Sequence, residues 1–225
     1  MQLFQNLFKQ DIFADVKGRD NVKLVFKRAL HASKPVHILL VGPPSAGKTV
    51  FGECILKAYG RRAIMFHGKN ASKAGALNKM VRIKPKITII DELEKAGKDI
   101  REGLLNILED GTLKYTLRNK DVDEKIDTSI IATCNNIDEL EEMEPEFLDR
   151  MEVIKVPPYT EDEYYDVARF KLAKDGIKGD LAEYIAQTVY QTTGKMNLRK
   201  CIRVGSMCKT QHDVDEYMQS LEGLS

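Results

Sequence analysis

The sequence predicts an α/β fold, a three-layer α–β–α arrangement around a parallel sheet, followed by a small all-helical domain. Three observations carry that reading. Strand-length segments that are apolar almost throughout, such as Val36-His37-Ile38-Leu39-Leu40-Val41 and Ile87-Thr88-Ile89-Ile90, alternate with helical stretches in the first part of the chain. A strand without polar alternation is buried on both faces, as in a parallel sheet covered by helices. After Pro157-Pro158 only helical patterns remain. The length of 225 residues suits one large domain with a small satellite.

Taken in order, Asn21 to Leu30 places Val22, Leu24, Val25, Phe26, Ala29 and Leu30 at broadly helical spacing. Pro35 resets the chain before the Val36–Val41 strand. Gly42-Pro43-Pro44 ends that strand, and Val50 to Ala58 is helical. Ala63–Phe66 and Ile87–Ile90 are the next strands. Ile100 to Leu108 is a helix with Leu104, Leu105, Ile107 and Leu108 inward. Leu113, Tyr115 and Leu117 alternate with Lys114, Thr116 and Arg118, the pattern of a half-exposed ribbon, and Asn119 to Glu124 is expected to turn the chain toward Ile126. Ser129–Thr133 and Glu152–Val156 complete the strands. Thr160-x-x-Glu163 and Asp180-x-x-Glu183 have the form of capping boxes, and helices are expected near 161–174, 181–193, 198–209 and 214–221. The predicted domains are 1–158 and 159–225.

Composition narrows the function. Lys and Arg number 35 against 34 Asp and Glu, which excludes a bulk electrostatic nucleic-acid binder and leaves only local patches for such a role. The longest apolar run is strand-sized, so no membrane span is expected. Met1 to Gln10 lacks the basic start and apolar block of a signal peptide. Cys54, Cys134, Cys201 and Cys208 show no CxxC spacing, so reduced thiols in a cytoplasmic protein are expected.

Two motifs carry chemistry. Gly42-Pro43-Pro44-Ser45-Ala46-Gly47-Lys48-Thr49 fits GxxxxGK[ST], follows a buried strand and opens a helix. In such a P-loop the glycines let backbone amides turn toward phosphate oxygens. Lys48 supplies a point charge for the β- and γ-phosphates of ATP, the Thr49 hydroxyl suits Mg²⁺, and the helix N-terminus adds its positive end. Pro44, Ser45, Ala46, Gly47 and Val50 complete the expected nucleotide-contacting stretch. The second motif is Asp91-Glu92, at the end of an apolar strand. In open parallel sheets ligands bind at that edge. Asp91 suits Mg²⁺, directly or through water, and Glu92 suits polarising the attacking water.

Together these motifs make the chain resemble an AAA+ ATPase, a P-loop NTPase with a helical lid, over nearly its whole length. Phe13-Ala14-Asp15-Val16-Lys17-Gly18 resembles the segment that wraps the adenine in relatives, which implies contact at Val16 and Lys17. Asp91-Glu92 resembles the Walker B pair. Ile131-Ala132-Thr133-Cys134-Asn135 resembles the sensor-1 strand, which gives Asn135 the task of positioning water and γ-phosphate, with Asn136 as the alternative register. Phe147-Leu148-Asp149-Arg150-Met151 occupies the place of the arginine finger, so Arg150 would act on the nucleotide of a neighbouring subunit. For the lid's second sensor Met196 stands where a Lon-like pattern has Arg; Arg199 is the best match and Lys195 the alternative.

The branch signals differ. Leu148 to Ile154 with Tyr159 to Glu163 resembles the ATPase module of Lon proteases. Asp91 to Lys95, Leu104 to Gly111 and His67 to Gly75 resemble the RuvB, MCM and MoxR group. The family resemblance implies a ring, a hexamer, with two pore-facing loops. The first, Lys69 to Lys79, carries Lys69, Lys73 and Lys79 and lacks the aromatic residue with which protein-unfolding relatives grip polypeptide. In the second, the ribbon, Lys114, Arg118 and Lys120 suit DNA phosphates, with Asp121, Asp123 and Glu124 offsetting them. The leading expectation is an ATP-driven DNA motor of RuvB-like helicase type. The alternatives are a protein-remodelling ATPase of MoxR or Lon-like type and a nucleotide-gated assembly factor.

Overall fold

The computed structural model describes residues 11–70, 73–117, 120–136 and 145–222. By its contacts the chain divides into two compact units, Met1–Pro157 and Pro158–Ser225. The first unit runs α1 (Asp20–Leu30), β1 (Ile38–Val41), α2 (Lys48–Tyr59), β2 (Ala63–His67), α3 (Lys73–Ile83), β3 (Ile87–Asp91), α4 (Lys98–Asp110), β4 (Thr112–Leu117), β5 (Lys120–Lys125), β6 (Ser129–Cys134), α5 (Pro145–Leu148) and β7 (Glu152–Lys155).

Five of these strands form one parallel sheet in the order β2-β3-β6-β1-β7. Alternate residues face opposite sides of a strand, and both sides here are buried. Leu39, Val41, Ile90, Ile130 and Ala132 join Leu77 and Met80 of α3 and Ile100, Leu104 and Ile107 of α4 in one core. Ile38, Leu40, Ile89 and Ile131 join Val22 and Phe26 of α1 and Phe51 and Ile55 of α2 in the other. This two-faced burial makes the three layers. The opening segment is fixed by aromatic packing: Phe13 lies 5.5 Å from Phe26 and 5.3 Å from Phe51, ring centre to ring centre, and Phe26 stacks on Phe51 at 5.0 Å. Truncating a buried Phe of this kind to Ala costs about 3–5 kcal/mol.

Sheet order sets the place of the site. β1 is flanked by β6 and β7; the chain leaves β1 for β2 on one side of it, and leaves β6 for β7 on the other. The C-terminal ends of these strands therefore open a crevice suited to a ligand. Gly42, at the end of β1, has no room for a side chain, since a Cβ there would lie 2.0 Å from the Val156 carbonyl oxygen.

The structure corrects two local readings in this unit. The segment expected as a first pore loop is largely helix, α3 beginning at Lys73, with Ala76, Leu77 and Met80 buried. The expected turn at Asn119 to Glu124 is mostly strand, because Lys120–Lys125 pairs antiparallel with β4. That pairing sets Lys114 opposite Asp123 and Tyr115 opposite Val122.

The second unit contains α6 (Glu161–Lys174), α7 (Asp180–Thr193), α8 (Leu198–Met207) and α9 (Gln211–Glu222) around a core that includes Tyr164, Ile185, Val189, Val204 and Val214. The Thr160 capping box forms: Glu163 N donates to Thr160 Oγ1 at 3.3 Å and Thr160 N to Glu163 Oε2 at 2.9 Å. The expected Asp180 box does not. Gly179 is the N-cap residue of α7, and Asp180 lies inside the first turn, where its charge meets the positive helix end. Glu183 Oε2 accepts from Arg169 Nη1 at 3.1 Å.

Candidate functional site: a phosphate loop facing a carboxylate cluster

The loop between β1 and α2 is built to point amides inward. Ser45 (φ 66°) and Gly47 (φ 89°) are left-handed, and Ala46 N closes a turn on the Pro43 carbonyl at 3.3 Å. Left-handed residues interspersed in a tight loop gather successive N–H groups into a concavity that suits an anion. Pro44 and Ser45 lie in the turn, and Thr49 and Val50 in the first turn of α2. Gly47 is the N-cap of α2 and no side chain caps the helix there. Those free amides and the helix end fit a phosphate.

Lys48, only 5% exposed, donates to the carbonyls of Gly42 at 2.6 Å and Pro43 at 2.8 Å, and to Asn135 Oδ1 at 3.0 Å. Burial pulls its pKa below the ordinary lysine value, against the opposing pull of Glu94, Asp91, the Cys134 thiol and Glu92. Three acidic side chains from the end of β3 thus bear on one ammonium.

Asp91 is buried at the last position of β3. Its Oδ1 accepts from Thr133 Oγ1 at 2.7 Å and Thr49 Oγ1 at 3.1 Å. His67 Nδ1, across the β2–β3 register, is 3.5 Å from Oδ2. Thr49 and Asp91 are therefore together, as the sequence requires of the expected magnesium ligands. Among the described residues no group of three or more His, Cys, Asp or Glu side chains is placed to hold a metal. A two-oxygen protein contribution fits Mg²⁺, which takes the rest of its shell from water and substrate phosphates.

Glu92 follows in the left-handed region, φ 58° and ψ 58°, with its backbone N–H held by Thr133 Oγ1 at 3.0 Å. A non-glycine residue held there is strained, and such residues cluster at functional sites. Its Oε1 accepts from Asn135 Nδ2 at 3.1 Å and pairs with Lys95 Nζ at 2.8 Å. Asn135, just past β6, thus joins Glu92 to Lys48. Asn136, the alternative register, is exposed.

The remaining expected residues are placed as follows. Val16 is buried in the α1–α2 core, while Lys17 is exposed. Arg150, before β7, lies within its own chain beside Glu109, Nη2 to Oε1 3.5 Å, and donates to the Glu146 carbonyl. Arg199 is an exposed residue in the first turn of α8, and Lys195 precedes that helix and is exposed. Lys69 and Lys114 are exposed; Lys79 lies 5.3 Å from the Phe66 ring centre, and Lys73 opens α3. Arg118 lies outside the described residues.

Sequence reasoning missed Thr133, Glu94, Lys95 and His67. A polar residue near the end of each central strand is the signal that finds Thr133 and His67. Glu94 and Lys95 stand in plain view after Asp91-Glu92, but their role depends on β6 lying beside β3. A cavity of about 410 Å³ between Gly42, Pro43, Asn135, Lys155 and Val156 adjoins the loop, within the range of ligand pockets. All four cysteines are buried, and no helix among the described residues is long and apolar enough to cross a membrane.

Comparison with known proteins agrees with this geometry. Residues 59–151 match the family model of the AAA domain, dynein-related subfamily. The Lon protease of Acinetobacter baumannii is 30% identical over 205 residues, covering 78% of this chain and 25% of the relative. That of Escherichia coli K12 is 29% identical over 187 residues, covering 72% and 23%. The chain thus spans about a quarter of the length of these relatives. Among solved structures, a RuvB point mutant of Thermotoga maritima superposes with a TM-score of 0.68 at 19% identity, over 91% of this chain and 71% of that one. That likeness is one of fold. Loop, sheet order and matches converge on one statement: the chain carries an AAA+ ATPase module.

Proposed function

We propose that the chain binds ATP on the Gly42–Thr49 loop and hydrolyses it, working as a motor in a ring of like subunits. The observation that carries this reading is the connected set Lys48–Asn135–Glu92 beside Thr49–Asp91. Lys48 and the loop amides hold the phosphate oxygens. Glu92 takes a proton from a water whose oxygen attacks the γ-phosphorus, the bond to the β–γ bridging oxygen breaks, and ADP and phosphate leave. Asn135 positions that water, and Arg150 from a neighbouring copy offsets the charge that develops on the transferred group. Mg²⁺ at Thr49 and Asp91 would supply charge neutralisation between the β- and γ-phosphates. Val16 and Lys17 are assigned to the adenine and Arg199 to the second sensor, both on the family resemblance.

For what the motor moves, the observations favour polypeptide. Lys114 faces Asp123 across the ribbon, Lys84 Nζ pairs with Glu124 Oε2 at 2.7 Å, and the curated relatives above are named as proteases. DNA, through Lys69, Lys73, Lys114 and Arg118, is the second reading, favoured by the exposure of Lys69 and Lys114. The test is phosphate release from Mg-ATP by the full chain, alone, with an unfolded polypeptide, and with single-stranded or branched DNA at low and high salt. Stimulation by polypeptide alone supports the first reading and salt-sensitive stimulation by DNA the second. No phosphate release under any condition overturns the ATPase.

A further inference from the structure

We propose that Glu94 is a positioning residue for hydrolysis, holding Asn135 in line while Glu92 exchanges its partners. The proposal rests on the ATPase reading and deepens it. Glu94 Oε1 accepts twice from the same residue, from Asn135 N at 3.2 Å and from Asn135 Nδ2 at 3.0 Å. One oxygen thereby fixes both the backbone and the amide plane of Asn135. Its Oε2 is buried and has no hydrogen-bond partner, so the carboxylate spends its described contacts on this one residue.

The arrangement divides labour between two neighbouring carboxylates. Asn135 Nδ2 is shared between Glu92 and Glu94, and its Oδ1 faces Lys48. A water taken up at Glu92 Oε1 competes with Nδ2 and Lys95 for that oxygen. Glu94 holds Asn135 through its backbone N–H as well as Nδ2, so it keeps Asn135 aimed between Lys48 and the water. Glu94 is also the largest of the charges that favour the Lys48 ammonium against its burial. It therefore steadies both ends of the Lys48–Asn135 contact from outside the reacting atoms.

The experiment compares Glu94→Ala, Glu94→Gln and Glu94→Leu in the full chain, with Asn135→Ala and the Glu94→Ala/Asn135→Ala pair. ATP turnover is read alongside equilibrium binding of a fluorescent ATP analogue and the thermal transition. Losing charge-assisted bonds to a residue that acts only in the transition state should lower kcat about tenfold. Binding of the analogue should change less than about twofold, since uniform binding is untouched. Glu94→Gln keeps an acceptor oxygen and should recover most of the turnover. In the Asn135→Ala background, Glu94→Ala should cost nothing more. If Glu94→Ala does not fold, Glu94→Leu keeps the volume without the acceptor and carries the same expectation. Wild-type kcat in both Glu94→Ala and Glu94→Leu, or full additivity with Asn135→Ala, overturns the proposal. A wild-type chain that binds the analogue and never turns over ATP overturns the ATPase reading instead.

Discussion

Two regions of the α/β unit handle charge in opposite ways. On the β4–β5 ribbon Lys114 stands opposite Asp123 in the register, and Glu124 pairs with Lys84 from outside the ribbon. At the end of β3 three acidic side chains bear on the buried Lys48, and left-handed loop residues gather amides beside it. The Lys84–Glu124 pair is exposed to water, where pairs of this kind contribute little. The site's charges are fixed by neighbours and partly desolvated, where electrostatic effects are larger. Concentrated, constrained charge is what a phosphate-transfer site requires, and a self-cancelling ribbon is what a scaffold element requires.

Substitutions should reproduce that contrast. Arg150→Ala is expected to lower turnover by about 10³-fold if it completes a neighbour's site. Mixing inactive Arg150→Ala with inactive Glu92→Gln chains should then restore part of the activity, because some interfaces regain both groups. Mixtures that co-assemble and stay inactive would place Arg150 with the ribbon, as a local ion-pair residue of Glu109. Lys48→Ala should weaken ATP binding about 100-fold, the loss of a charge-assisted phosphate contact worth about 3 kcal/mol, as read by titration calorimetry. Unchanged affinity would remove the loop from the nucleotide site. Lys114→Ala should leave basal turnover within about twofold and stability within about 0.5 kcal/mol. A large loss in either would make the ribbon more than scaffold.

The smallest effect concerns a carboxylate satisfied by local bonds, as on the ribbon, in the helical unit. Asp213 Oδ2 accepts from Lys209 N at 2.8 Å and Thr210 N at 2.9 Å before α9. Those bonds, Lys209 first, hold its carboxyl below the ordinary aspartate range. A depressed folded value gives stability that is fully present above the unfolded value, about 3.9, and is lost as pH falls through the folded one. The melting temperature of Asp213→Ala should therefore lie below wild type at neutral pH, and the gap should narrow once pH falls below about 4. A gap that stays constant between pH 7 and pH 3 would show that the cap's charge is immaterial.

How much of this was legible in the sequence depends on range. The phosphate loop was legible because its chemistry lies in eight consecutive residues between a strand and a helix. Asp91-Glu92 was legible for the same local reason. The α3 helix was hidden because Gly75 and scattered lysines obscure the spacing of Ala76, Leu77 and Met80, and only packing against the sheet reveals their common face. The return strand β5 was hidden because Lys120 to Lys125 is almost wholly charged, and its pairing with β4, not its own propensity, makes it a strand. Glu94 was hidden because the residue it holds is some forty positions away, brought in by the β3–β6 register.

The central claim is that Glu92 is the group that activates water in a site that binds ATP without it. The direct measurement is ATP turnover and ATP binding by Glu92→Gln beside wild type. The account predicts affinity within about threefold and turnover reduced at least about 100-fold, since the amide holds the same place but cannot take a proton. Turnover equal to wild type would contradict it.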